Sequence, residues 1–174
     1  NDRVVGLFLS SGPHFLVSLI DTENGVELDT AGSGGSLGSS IAAMAKMTDT
    51  TFVVVTETQD TWVVAMEMYS IVGDVLYRFA LKFMPEFFSP PEEAPTALSV
   101  ARITDTRFII AYNRDYENDS SVEGGFAVAG DWDGTDGVDN IDLGVQVTFN
   151  TGPTPYITLL ESVLGTHCYY QADD

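Results

Sequence analysis

Hydrophobic and polar residues alternate along several short stretches of this chain, which is the pattern of β-strands with one buried face. In residues 141–149 every odd position is apolar and every even position is polar or glycine. In residues 75–83 the odd positions are also all apolar and are expected to share one face, with Arg78 and Lys82 on the opposite side. A period of two places successive side chains on opposite faces of a strand. No stretch combines a helical period with caps, so the sequence predicts an all-β fold.

A motif of about fifteen residues recurs along the chain. Residues 41–55 align with 97–111, and both copies contain Thr-Asp-Thr, beginning at Thr48 and Thr104 and followed two residues later by phenylalanine. Weaker copies begin near Val5 and at Ile157. Each copy is predicted to be a hairpin in which the aspartate side chain accepts hydrogen bonds from the following backbone N–H groups of a tight turn.

The hairpins and the alternating stretches between them predict tandem four-stranded antiparallel units, either β-propeller-like blades or related sheet repeats. Residues 1–40 form a partial repeat and a Gly/Ser linker, 41–96 and 97–156 form the complete units, and 157–174 form a partial hairpin. One set of residues is expected in the core because of its place in the strands: Phe52, Val54, Phe108, Ile110, Val145, Val147 and Phe149.

The charge balance limits the classes of binding partner and the cellular location that we expect for this chain. The chain contains seven Lys and Arg and 26 Asp and Glu, which gives a net charge of -19. Residues 115–174 contain no Lys or Arg. Such a negative field repels nucleic acid and anionic lipid headgroups, and no apolar stretch approaches the ~20 residues of a membrane-spanning helix. The first residue, Asn1, is not Met, and together with the few lysines and the repeat type this predicts an extracellular protein. Asn118 opens a glycosylation sequon and is expected to carry a glycan.

The second complete unit resembles a known kind of repeat. Its pattern Ser-x-Ala-x-Ile-Thr-Asp-Thr-x-Phe-x-x-Ala-Tyr-x-x-Asp (99–115), followed by Ile-Asp-Leu-Gly-x-x-Val-x-Phe-Asn-Thr-Gly (141–152), is similar to uncharacterised β-propeller-type repeats of large secreted microbial and protist proteins. The resemblance implies a propeller blade or a related four-stranded sheet in a structural or adhesive extracellular setting. It implies no catalytic residues.

An acidic loop is the best candidate for a metal site. Asp131, Asp133, Asp136 and Asp139 are closely spaced carboxylates of the kind that calcium binds, and Gly134 and Gly137 would let the loop wrap around the ion. The loop is similar to the calcium loops of integrin-type propeller repeats, but Thr135 is an extra residue that disturbs their alternate spacing. The other interpretation is a charged strand connector. Trp132 lies in the same polar loop and is the candidate for stacking on a sugar ring.

The sequence predicts no enzyme. His167 and Cys168 are adjacent on a predicted strand, so their side chains face opposite ways and cannot exchange a proton. Two histidines and one cysteine are too few for a zinc site of the usual type.

Two functions remain, and the first is favoured. The chain is expected to be a structural subunit or repeat segment of an extracellular filament or surface assembly, joined to copies of itself or to neighbouring repeats by strand addition. The alternative is a propeller-type binding module that depends on carbohydrate or calcium. Assembly is assigned to an apolar segment near the start of the chain: Val4, Val5, Leu7, Phe8 and Leu9.

Overall fold

A computed structural model describes residues 3–9, 15–32, 41–58, 63–84, 95–114, 124–135, 137–138, 140–162 and 165–171. The predicted all-β class is confirmed, and the described residues contain no helix. Asn118, Asp136 and Asp139 lie outside the described residues. The fifteen strands are β1 (Arg3–Leu9), β2 (Phe15–Asp21), β3 (Val26–Gly32), β4 (Ala42–Lys46), β5 (Thr51–Thr58), β6 (Val63–Val72), β7 (Val75–Phe83), β8 (Leu98–Arg102), β9 (Arg107–Arg114), β10 (Gly124–Trp132), β11 (Gly137–Val138), β12 (Ile141–Leu143), β13 (Val147–Asn150), β14 (Tyr156–Ser162) and β15 (Gly165–Gln171).

The strands form four sheets that follow one another along the chain. Sheet 1 has the order β1-β2-β3, and sheet 2 has the order β4-β5-β6-β7 with β11 added in parallel at the β7 edge. Sheet 3 has the order β8-β9-β10-β12, with β13 also paired to β10, and sheet 4 is the β14-β15 hairpin. All pairings except that of β11 are antiparallel, and the described residues form no closed barrel or propeller.

Three apolar clusters lie between successive sheets. Val17 and Leu19 of sheet 1 pack with Phe52 and Val54 of sheet 2. The largest cluster joins the opposite face of sheet 2 to sheet 3, and a third joins sheet 3 to Ile157 and Leu159 of sheet 4. The sheets are therefore stacked face to face in chain order.

This stacking explains the composition of the central strands. In β5 the residues from Phe52 to Glu57 are all buried, because sheet 2 is covered on both faces. A strand covered on both sides has a continuous apolar run rather than an alternating one. Phe52 and Phe108 each face the preceding sheet, so the repeated motif places the same residue in equivalent positions.

The predicted single strand over 141–149 is interrupted. Leu143 pairs with Gly130 and Val147 with Ala127, so one extra residue lies on this strand between the two pairs. An extra residue reverses the faces beyond it. Val145 is 87% exposed and Val147 is exposed as well, so their assignment to the core is wrong. Phe149 is half buried and packs on the sheet 4 side, whereas Phe52, Val54, Phe108 and Ile110 are buried as predicted.

The fourth strand of sheet 2 contains a similar irregularity. Met68 pairs with Ala80 but Tyr69 pairs with Arg78, which leaves Phe79 as the extra residue of β7. The expectation that all odd positions of 75–83 share one face is therefore wrong. Val75 and Tyr77 are exposed, whereas Phe79 is buried in the cluster between sheets 2 and 3.

Candidate functional site

The two Thr-Asp-Thr turns lie at the same end of the stack and have the same internal bonding. The Thr48 hydroxyl oxygen accepts hydrogen bonds from the N–H groups of Thr50 at 3.2 Å and Thr51 at 3.0 Å. The Thr104 oxygen accepts the equivalent bonds from Thr106 and Arg107. The predicted role of aspartate in these turns is therefore wrong, because the first threonine bonds the backbone.

The aspartates of the turns instead pair with a cation three residues earlier. Lys46 Nζ donates to Asp49 Oδ1 at 2.8 Å, and Arg102 Nη1 donates to Asp105 Oδ1 at 3.2 Å. The Lys46 hydrogen bond, aided by its charge, lowers the pKa of Asp49. Lys46 and Arg102 occupy equivalent positions at the ends of β4 and β8. Each turn therefore has its own ion pair.

Arg102 also connects three sheets. Its Nη1 donates to the carbonyl oxygen of Met47 in sheet 2 at 2.9 Å, and its Nε donates to Glu161 of sheet 4 at 3.0 Å. The hydroxyl of Thr166 donates to the Arg102 carbonyl oxygen at 3.1 Å. A charged cavity of about 400 Å³ lies among these groups. The shared position of Lys46 and Arg102 in the repeat is a sequence signal for the ion pair within each turn, but not for these contacts between sheets.

These contacts fix the directions of the first strands in sheets 2, 3 and 4. The ends of β4 and β8 meet at Met47 and Arg102, and the end of β14 meets Arg102 through Glu161. Their starting residues line a second cavity of about 440 Å³ at the opposite end of the stack. The strands β4, β8 and β14 therefore run side by side in the same direction.

Strand β1 runs the opposite way. Arg3, at its start, donates to the carbonyl oxygen of Gly73 and pairs with Asp74 in the turn between β6 and β7. That turn lies at the same end of sheet 2 as the Thr48–Thr51 turn, because Thr51 pairs with Ser70. Among the described residues β1 has a ladder partner on one edge alone, and the same is true of β14 and β15.

A groove lies beside β1, over the end of β4. Its volume is about 290 Å³, and its apolar lining includes Val5, Met44, Phe52 and Ile71. The cations Arg3 and Lys46 lie at its charged end. Of the predicted assembly residues, Val5 and Leu7 pack toward sheet 2, whereas Val4 and Phe8 are about half exposed on the other face of sheet 1. Leu9 belongs to β1, and nothing further is described of its side chain.

The acidic loop is held by its own hydrogen bonds. Asp133 Oδ1 accepts bonds from the N–H of Thr135 at 2.8 Å and from its hydroxyl at 2.7 Å, and the hydroxyl and the N–H lower the pKa of Asp133. Asp131 pairs with Arg107 at 3.4 Å. Asp131 and Asp133 are thus directed to different partners, and no cluster of metal-binding side chains forms within the described ranges. Calcium at this loop stays a prediction.

Trp132 is anchored at the base of the same loop. Its indole Nε1 donates to the Thr135 carbonyl oxygen at 2.9 Å, and its ring lies 4.7 Å from that of Phe79 between centroids. The ring is half buried against the cluster between sheets 2 and 3. Gly137 and Val138 then join the β7 edge, so this loop also connects sheet 3 to sheet 2. Sugar stacking on Trp132 stays a prediction.

A buried carboxylate lies between sheets 1 and 2. Glu67 is fully buried and accepts hydrogen bonds from the Tyr69 hydroxyl at 2.7 Å and from Arg78 Nη1 at 2.9 Å. Burial, followed by the charge of Glu67, raises the pKa of Tyr69 far above its usual value. A buried carboxylate needs such partners on both oxygens, so this group orients β6 and β7 relative to each other.

His167 and Cys168 lie on β15, as the sequence predicts. His167 Nε2 is 3.0 Å from the Ser162 hydroxyl oxygen on the exposed surface. Cys168 is exposed, and desolvation by the surrounding residues raises the pKa of its thiol, which disfavours the reactive thiolate.

Comparison with known proteins gives no assignment: no protein family matches this chain, and no curated protein is significantly similar to it. The described residues contain no helix that is long and apolar enough to span a membrane.

Proposed function

We propose that this chain is a structural segment of an extracellular filament or surface assembly, in which copies join by strand addition at their terminal sheets. One observation carries the proposal: sheets 2 and 3 are covered on both faces by neighbouring sheets, whereas the described part of the chain covers sheets 1 and 4 on one face and leaves exposed apolar side chains on the other. Sheets 1 and 4 also end in edge strands, β1 and β14, as sheets 2 and 3 do in β4 and β8. Open edges offer unpaired N–H and C=O groups to another strand.

Sheets 2 and 3 serve in this proposal as successive blade-like units. Sheet 2 pairs β4, β5, β6 and β7 in antiparallel order, and sheet 3 pairs β8, β9 and β10 with the short strands β12 and β13. Each sheet turns its repeated phenylalanine toward the preceding sheet. Such units bury their faces by stacking on neighbours, so stability grows as the stack is extended. The apolar outer sides of sheets 1 and 4 are suited to the same kind of neighbour.

The alternative, a carbohydrate- or calcium-dependent binding module, has less support. Asp131 is paired with Arg107, and one side of the Trp132 ring packs on Phe79. To bind calcium, Asp131 would have to give up its ion pair or use its free oxygen, and to stack on a sugar, Trp132 would have to use the side of its ring that does not contact Phe79.

Electron microscopy of purified variants tests the proposed function. Val4→Lys and Tyr169→Lys place a charge on β1 and β15. Both native side chains are exposed, so we expect the monomer to stay folded without them. We expect the native chain to form filaments or arrays and both variants to lose them. Val145→Lys is the matched control, because Val145 is exposed between β12 and β13 of sheet 3, and this variant should assemble normally. A native chain that forms no assembly, or terminal-sheet variants that assemble like the control, would contradict the proposal.

A further inference from the structure

The first strands of sheets 2, 3 and 4, which are β4, β8 and β14, pack against one another in a regular way. Strand β8 contacts β4 on one side and β14 on the other. Where β4 meets β8, Ala43 and Ala45 lie in the same apolar cluster as Val100. Where β8 meets β14, Ala101 lies in the same cluster as Leu159. Strands β4 and β8 thus each present alanine toward the following sheet, and β8 and β14 each present a larger apolar side chain toward the preceding sheet.

Strand β4 has no such neighbour on its sheet 1 side in the described part of the chain. Met44 faces sheet 1 from the place on β4 that Val100 has on β8. Val100 is 6% exposed, whereas Met44 is only half buried. The edge strand of sheet 1 is β1, which packs through Val5 and Leu7 with the cluster that includes β5, and the groove of about 290 Å³ lies over the end of β4. The groove therefore occupies the place that a first strand of sheet 1 would have.

The groove has the two parts of a strand-binding site. Its wall is β1, which pairs with β2 and has no other ladder partner among the described residues. Such an edge offers backbone N–H and C=O groups to an added strand. The floor of the groove is apolar at Met44, Phe52 and Ile71. Because β1 runs opposite to β4, a strand that pairs antiparallel with β1 runs in the direction of β4, β8 and β14.

We infer that an extended segment of another chain binds in this groove, pairs antiparallel with β1 and becomes the first strand of sheet 1. The inference rests on the proposed function and specifies the acceptor surface for strand addition. A segment that packs on β4 as β4 packs on β8 carries small side chains such as alanine or serine toward sheet 2 and larger apolar ones on its opposite face. It needs no charge to bind, because Arg3 and Lys46 at the end of the groove are already paired with Asp74 and Asp49.

A peptide that copies β8 tests the groove of the native chain. The probe is residues 96–102, labelled with a fluorophore at its amino end and amidated at its carboxyl end, and its binding is followed by fluorescence anisotropy. We expect saturable binding. A peptide with Ser99→Phe and Ala101→Phe places two rings toward sheet 2 and should bind at least tenfold more weakly. The matched peptide with Leu98→Phe and Val100→Phe carries the same rings on its other face and should bind like the parent. No binding of the parent, or equal binding of the two phenylalanine peptides, overturns the inference.

NMR locates the bound peptide and gives its direction. Pairing slows the exchange of backbone amide hydrogens, so we expect exchange at alternate residues of β1 to slow at least tenfold, and exchange at the open edge of β15 to stay unchanged. A nitroxide at the amino end of the peptide should broaden the signals of Ala42 more than those of Thr50, and one at the carboxyl end should do the reverse. Protection at β15 or β3 in place of β1, or the opposite direction, contradicts the assigned pairing.

A charge on the floor of the groove supplies the matching change in the protein. Met44→Lys should lose peptide binding, whereas Val145→Lys places the same charge at an exposed position of sheet 3 and should keep it. If Met44→Lys does not fold, the phenylalanine peptides still decide, because they are used with the native chain. Assemblies that form although the peptide neither binds nor competes overturn the inference and leave the proposed function intact. A chain that binds the peptide at β1 but never assembles contradicts the proposed function and leaves the groove as a strand acceptor.

Discussion

Phenylalanine over glycine is a recurring contact in this fold. A Cβ atom built on Gly130 would lie 2.5 Å from the ring of Phe108, its directly opposed neighbour on β9. Rings of Phe8 and Phe149 cover Gly6 and Gly125 in the same way. The absence of a side chain lets each aromatic ring lie flat on the backbone of the sheet.

Replacing Phe108 with Ala should therefore remove both core volume and the cover of Gly130. Phe108 is fully buried between sheets 2 and 3, and we expect a loss of about 3–5 kcal/mol in the free energy of unfolding. Denaturant unfolding measures this loss, with Val145→Ala as the control that should change little. A Phe108→Ala chain as stable as the control would contradict the assigned core.

The reverse change, Gly130→Ala, should also destabilise the fold. The new methyl group would displace a ring that is packed on all sides, at a cost of about 1–3 kcal/mol. Gly144→Ala is the matched control, because a Cβ there meets its nearest atom at an ordinary 3.6 Å. Equal melting temperatures for the two variants would show that the ring of Phe108 does not lie over Gly130.

Among the elements, the acidic loop gives a pH-dependent prediction. The hydroxyl and the N–H of Thr135 lower the pKa of Asp133 below its usual 3.8. A depressed folded-state pKa stabilises the fold above the unfolded value, and this contribution disappears as the pH falls through the folded pKa. Thr135→Val removes the hydroxyl bond, so we expect the pKa of Asp133 to rise toward 3.8 in an NMR titration. An unchanged pKa would mean that the loop has another hydrogen-bonding arrangement.

Calcium binding at Asp131, Asp133, Asp136 and Asp139 has its own thermal test. A ligand held by the folded state alone raises the melting temperature by mass action. If the loop binds calcium, adding a chelator to calcium-loaded protein should lower that temperature, and Asp133→Asn should remove the difference. Identical melting curves with calcium and with chelator would establish a charged connector instead.

For the whole molecule, the repeated motif was the most informative part of the sequence. It located the β4-β5 and β8-β9 hairpins and the buried places of Phe52 and Phe108, because local turn chemistry and periodicity determine these features. Val145 and Val147 were misplaced because a single extra residue in a strand reverses its faces, and the alternating pattern contains no sign of it. The bonds from Arg102 to Met47 and Glu161 join residues distant in sequence, so only the stacking of the sheets reveals them.

The central claim is that the terminal sheets make this chain self-associate, and sedimentation velocity on the native chain tests it most directly. Protein concentrations from roughly 1 μM to 1 mM detect association with dissociation constants in that range, which correspond to binding free energies of about 4–8 kcal/mol. We predict that the sedimentation coefficient rises continuously with concentration, because each added copy offers a new open edge. A single monomeric species over the whole range would contradict the account.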